Sequence, residues 1–231
     1  PINDASANEG TAITKVESKE HDLLHGLFNS LVQVDSDTYA LAYSGNNGDG
    51  YISTFTISAD GSTITEIESL EHDAVQGEHN SLVQVDSDTY ALAYTGDDND
   101  GYISTFDINS AGNITPIKVQ NHAVIGGTAN LEHDTTKGEF NSLVQVDSDT
   151  YALAYTGDAN VGYISTFNIA ADGTTITEIT SLEHDTDNGT YNSLVQVDSD
   201  TYALAYAGDS TDGYISTFTI DTFVATTTTK K

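Results

Sequence analysis

Four Glu-His-Asp triplets place an imidazole between two carboxylates: Glu20-His21-Asp22, Glu71-His72-Asp73, Glu132-His133-Asp134 and Glu183-His184-Asp185. A histidine flanked in this way can act as a general base or a metal ligand. The triplet recurs at four places, however, whereas a catalytic centre is normally built once. The expectation is therefore structural: His21, His72, His133 and His184 bond a neighbouring strand or loop, and each following Asp caps the next turn. A second set of acids, Asp35/Asp37, Asp86/Asp88, Asp147/Asp149 and Asp198/Asp200, brackets a Ser. Two carboxylates can share a Ca²⁺ ion, but no third ligand accompanies them, and Asp in a turn also bonds its own backbone two residues on.

The segments 45–50, 96–101, 157–162 and 208–213 each begin and end on Gly but differ inside. The second holds Asp97, Asp98 and Asp100, the best cation candidate in the chain, and calcium is the one cofactor suggested. It lacks the Asp-x-Asp-x-Asp-Gly spacing and distal Glu of a full calcium loop, so a solvated hairpin is the simpler reading. Sequons at Asn113 and Asn188 are candidate glycosylation sites. There is no Gly-rich phosphate loop, no Gly-x-Ser-x-Gly elbow, no His-Glu-x-x-His and no Cys. On these grounds the chain reads as a protein that is not an enzyme.

The elements that position these residues repeat. Leu-Val-Gln-Val-Asp-Ser-Asp-Thr-Tyr-Ala-Leu-Ala-Tyr starts at Leu31, Leu82, Leu143 and Leu194, at intervals of about fifty residues. The middle interval is longer because of an insertion at about 118–130, a stretch containing His122, Gly126 and Gly127. Such an insertion either creates a unique binding surface or is a tolerated surface loop. Within a unit the apolar period is two, which predicts strands at 31–34, 39–43, 51–57 and 64–69, joined by Asp/Ser and Gly/Asn turns. Tyr39, Leu41 and Tyr43 share one face and Ala40 and Ala42 the other, a pattern suited to stacked sheets.

The fold expected is all-β: a four-bladed β-propeller of four-stranded antiparallel meanders spanning 8–220, with tails at 1–7 and 221–231. Asn8–Asp22 lines up without a gap on Ala59–Asp73, so the chain opens on a fourth strand and closes on a third. The N-terminal strand should complete the last blade, within one chain or in a neighbour. That arrangement resembles the permuted closure of WD-repeat propellers, although this chain has no Trp. The repeats also resemble the uniform propeller repeats of secreted or surface proteins of environmental microbes, which implies an extracellular or cell-surface location.

With 36 acidic residues against 6 lysines and no Arg, the formal net charge is −30. Such a chain repels nucleic acid and anionic membranes, and no apolar run is long enough to insert. Basic partners, cations and neutral sugars remain eligible, and the simple reading of the acid is a solvated surface that resists aggregation. A chain that starts at Pro1 without any Met reads as a mature or trimmed form. The function expected is that of a non-catalytic extracellular structural and interaction protein that self-associates, as in a surface assembly or filament. The alternatives are a lectin-like carbohydrate-binding module and, third, a hydrolase with its site at the propeller centre.

Overall fold

The Thr-Tyr-Ala-Leu-Ala-Tyr segment is rich in strand-forming residues, and its extended form has one thick face and one thin face. In the computed structural model, which describes residues 13–118, 123–125 and 128–221, this segment is the second strand of each of four antiparallel sheets. The first sheet comprises β1 (Leu27–Gln33), β2 (Thr38–Ser44), β3 (Gly50–Ile57) and β4 (Ile64–Asp73), in that order. The second contains β5 (Glu78–Gln84), β6 (Thr89–Thr95), β7 (Gly101–Ile108), β8 (Ile114–Pro116), β9 (Ala123–Ile125) and β10 (Thr128–Asp134). The third is β11 (Glu139–Gln145), β12 (Thr150–Thr156), β13 (Gly162–Ile169) and β14 (Ile176–Asp185). The last has three strands, β15 (Thr190–Gln196), β16 (Thr201–Ala207) and β17 (Gly213–Thr219). No α-helix occurs among the described residues, so none is long and apolar enough to cross a membrane.

The sheets stack thin face against thick face. Ala40, Ala42 and Ile52 of the first sheet form one core with Tyr90, Leu92, Tyr94 and Phe106 of the second. Ala91, Ala93 and Ile103 meet Tyr151, Leu153, Tyr155 and Phe167, and Ala152, Ala154 and Ile164 meet Leu194, Tyr202 and Leu204. Alanine on one side leaves the depth that a whole tyrosine ring on the other needs at native packing density. The first strands of successive sheets lie side by side. They are joined where the Leu82, Leu143 and Leu194 amides donate to the Ser30, Ser81 and Ser142 hydroxyls, each at 2.9 Å. The result is a propeller-like succession of sheets with β1, β5, β11 and β15 innermost.

Two expectations are corrected. The first strand of each unit begins four residues before the position read from the apolar period, because a bulge breaks the alternation there. In the second sheet β8 pairs with the end of β7, β10 pairs with its beginning, and β9 is added outside β10. His122, Gly126 and Gly127 lie outside the described residues, as do the tails 1–7 and 222–231. Finally, no described N-terminal residue pairs with β17. Residues 13–22 lie beside the first sheet, with His21 packed edge-on against Tyr43 at 4.6 Å. The first and last sheets therefore each keep an uncovered face, and Ile215 on β17 is 80% exposed whereas its repeat equivalent Ile52 is fully buried. Among the described residues the N-terminal segment does not close the four sheets into a ring.

Candidate functional site

In each innermost strand the pairing skips between its first and fourth residues, as from Glu78↔Thr95 to Ser81↔Ala93. The bulge this creates puts Phe28, His79, Phe140 and Tyr191 at φ of 53°, 49°, 51° and 56°. Left-handed backbone costs a residue with a side chain about 1–2 kcal/mol, so something must hold it. The next residue does: the Asn29, Asn80, Asn141 and Asn192 side-chain amides donate back to the carbonyls of Gly26, Gly77, Gly138 and Gly189. The four bulge side chains consequently form one row, with ring centroids 4.3 Å apart for Phe28–His79 and 4.4 Å for both His79–Phe140 and Phe140–Tyr191.

His79 is the one titratable base in this row. Its Nδ1 lies 3.2 Å from Thr95 Oγ1, whose own proton goes to the Gly138 carbonyl. Thr95 can then only accept from His79, so Nδ1 carries the hydrogen and Nε2 the lone pair. Burial lowers the His79 pKa, with Glu139 opposing and Lys137 reinforcing the shift, so the imidazole is neutral at pH 7. Lys137 Nζ sits 3.1 Å from Glu139 Oε2 and donates to Asn160 Oδ1 at 2.7 Å. Glu78 accepts from Gln76 Nε2, which also reaches Asn99 Oδ1 at 3.0 Å. A base, a cation and two carboxylates thus meet an aromatic row at one end of the inner strands.

None of the residues singled out in the sequence lies in this cluster. His72, His133 and His184 pack edge-on against Tyr94, Tyr155 and Tyr206 of the following sheet at 4.7–4.8 Å. The aspartates after them do cap turns: Asp73 Oδ1 accepts from the Val75 and Gln76 amides, and Asp22, Asp134 and Asp185 act alike. Asp97, Asp98 and Asp100 do not converge. Asp98 takes a left-handed turn position (φ 57°), Asp97 accepts from its amide, and Asp100 pairs with Glu132. Burial raises the pKa of both Asp100 and Glu132, and the charges of neighbouring carboxylates add to each shift. Among the described residues no group of three or more His, Asp or Glu is disposed to hold a metal ion. Asn113 is exposed, whereas Asn188 is half-buried with its Nδ2 donating to the Ala207 and Gly208 carbonyls, the atom a glycan would occupy.

The sequence did carry a signal for the row. In repeats that are otherwise nearly identical, Leu27-Phe28, Glu78-His79, Glu139-Phe140 and Thr190-Tyr191 are all different pairs, each followed by the same Asn-Ser-Leu.

No family model and no curated protein matches this chain. Solved structures do share its fold. A Bacteroides fragilis protein assigned as a 6-phosphogluconolactonase has TM-score 0.51 at 13% identity over 84% of this chain and 57% of its own. The α-L-arabinofuranosidase of Lactobacillus brevis has TM-score 0.51 at 11% identity over 86% and 69%. The NanB sialidase of Streptococcus pneumoniae has TM-score 0.51 at 11% identity over 78% and 27%. This chain therefore spans just over half the length of the first of these proteins. The likeness establishes an all-β, propeller-like arrangement of repeated antiparallel sheets. It also overturns the expectation of a non-catalytic structural or interaction protein that is not an enzyme. The similar structures named are enzymes, so uniform repeated sheets are no argument against catalysis, and the inference drawn from them falls.

Proposed function

We propose that the chain is a carbohydrate-directed hydrolase, with an ester or lactone of a sugar as the class its groups suit best. One observation carries the reading: His79, held as the Nδ1–H tautomer, stands within a row of aromatic rings beside Lys137 and Glu139. Aromatic faces such as the exposed Tyr191 stack on sugar rings. His79 Nε2 takes a proton from water as its oxygen attacks the carbonyl carbon. Lys137 stabilises the developing oxyanion, and the proton passes to the leaving alkoxide as the C–O bond breaks. The lactonase, arabinofuranosidase and sialidase with this fold support a sugar substrate by analogy of architecture alone. The charge of −30 suits neutral sugars over polyanions, and the same reading puts the protein outside the cell or at its surface.

The test is a panel of sugar lactones, acetylated sugars and aryl glycosides, assayed with the wild type and His79→Ala. The expected result is turnover of a lactone or ester, reduced about 10²–10⁴-fold in the variant, with the β-sheet circular dichroism retained and a wild-type rate that holds through the ordinary histidine value of about 6.5 and falls only at lower pH, because burial lowers the His79 pKa. Glycan binding without turnover would favour the lectin-like alternative. Neither binding nor turnover would remove the carbohydrate reading altogether.

A further inference from the structure

Three glycine pairs seal the junctions between sheets. A Cβ added to Gly77, Gly138 or Gly189 would stand 2.2–2.3 Å from the Cα of Gly50, Gly101 or Gly162, with His72, His133 or His184 beneath each pair. Two members of this series are unpaired. Gly26 has His21 against it but no facing glycine, and Gly213 has nothing within 4 Å.

The same incompleteness runs along both end faces. Phe28 and Tyr191 end the ring row, 37% and 70% exposed. The Ser30, Ser81 and Ser142 hydroxyls each accept from the next sheet's leucine amide, whereas Ser193 and the Leu31 amide, the terminal members of that series, make no such bond. The Thr54 and Thr105 hydroxyls donate to the Gly112 and Gly173 carbonyls of the next sheet. Thr166 and Thr217 occupy the same position in the last two sheets, and both line an open groove of about 1010 Å³ with Ile164, Ile179, Leu182 and Phe218. Ile179 and Leu182 are more than half exposed there because β17 has no fourth strand beside it. At the other end Val16 is 3.8 Å from the Cβ position of Gly61, as Ile67 is close to that of Gly112. Residues 13–22 thus already take the place of a fourth strand belonging to a preceding sheet.

We propose that the last sheet of one copy docks on the first sheet of a second copy, head to tail, and that residues 13–22 of the second copy supply the missing fourth strand. The pairing of β3 with β4 gives the register: Ile57↔Ile64, Ser53↔Ser69 and Gly50↔Asp73 translate to Ile220↔Ile13, Ser216↔Ser18 and Gly213↔Asp22 of the second copy. Gly213 then meets the second copy's Gly26 with its His21 below, and Tyr191 stacks on its Phe28. The occupant is a second copy because the two faces are the halves of an interface the chain already makes three times, and because they stand apart within one chain.

Sedimentation of the full chain tests this. The wild type should run at a multiple of 24.5 kDa. Ile215→Asp on the tail face and Leu31→Asp on the head face should each give monomer, and a mixture of the two should give dimer only, through the one intact pair of faces. Gly213→Ala separates docking from folding: its Cβ meets nothing within the chain, so the melting temperature of the monomer should hold while association weakens at least tenfold. A wild-type monomer, including one closed on itself, overturns the proposal, and so does association that survives both Ile215→Asp and Gly213→Ala.

Discussion

Gly138→Ala should destabilise the protein by about 3 kcal/mol or more, the upper end of what overpacking a close-packed site costs. The added Cβ would stand 2.2 Å from Gly101 Cα and 2.7 Å from its nitrogen, a backbone collision that no rotamer can relieve. The two sheets would have to separate where His133 lies sealed beneath them, exposing Tyr155 and Phe167. The conformation of Gly138 is not in the left-handed region, so the loss would report space alone. Urea titration of the wild type, Gly138→Ala and Gly213→Ala at concentrations where all are monomeric gives the comparison. Equal losses for the two substitutions would show that the glycine contact does not hold the junction.

Acidification from pH 7 to pH 5 should cost stability on the order of 2 kcal/mol for each of two buried histidines. Burial lowers the pKa of His72 to about 3 and that of His133 to about 4. In the unfolded chain both titrate near 6.5. Between about 6.5 and 4 the unfolded state therefore takes up protons that the folded state refuses, and stability falls as pH falls through that window. Carboxyls whose pKa is raised by folding, Asp73 and the Asp100–Glu132 pair, work in the opposite direction and favour the folded state as they protonate. Relief of the repulsion within a chain of net charge −30 adds to them. The histidine contribution is isolated by comparing the wild type with His133→Gln, which has nothing to protonate at that site. The variant should be less stable at pH 7, and the gap should narrow by about 2 kcal/mol at pH 5. A gap that stays constant would mean that the imidazole takes up its proton without leaving the fold.

Much of the architecture is legible locally. Alternation in Tyr39–Tyr43 gives the strand and also its packing partner, because Ala40 and Ala42 can only face something large, and they face the tyrosines of the next sheet. The Asp35-Ser36-Asp37 turn is legible for the same local reason: the Asp35 carboxylate accepts from the Ser36 amide, and the Val34 amide closes the turn on the Thr38 carbonyl at 2.8 Å. The fourfold recurrence of His72 and its equivalents already argued against catalysis at that position, and all four lie against rings rather than in the candidate site. What no local pattern could show is where different repeats touch. The row from Phe28 to Tyr191 exists because four bulges, each held at positive φ by an asparagine, are brought into line by the stacking of four sheets. The Gly101–Gly138 contact likewise joins segments that lie far apart in the sequence. Strand period and turn chemistry are encoded over a few residues, so the sequence by itself determined the repeats and their faces. The tertiary structure decided which faces are covered, which are left open and where a base meets a row of rings, because those depend on stacking between sheets that no window of sequence contains.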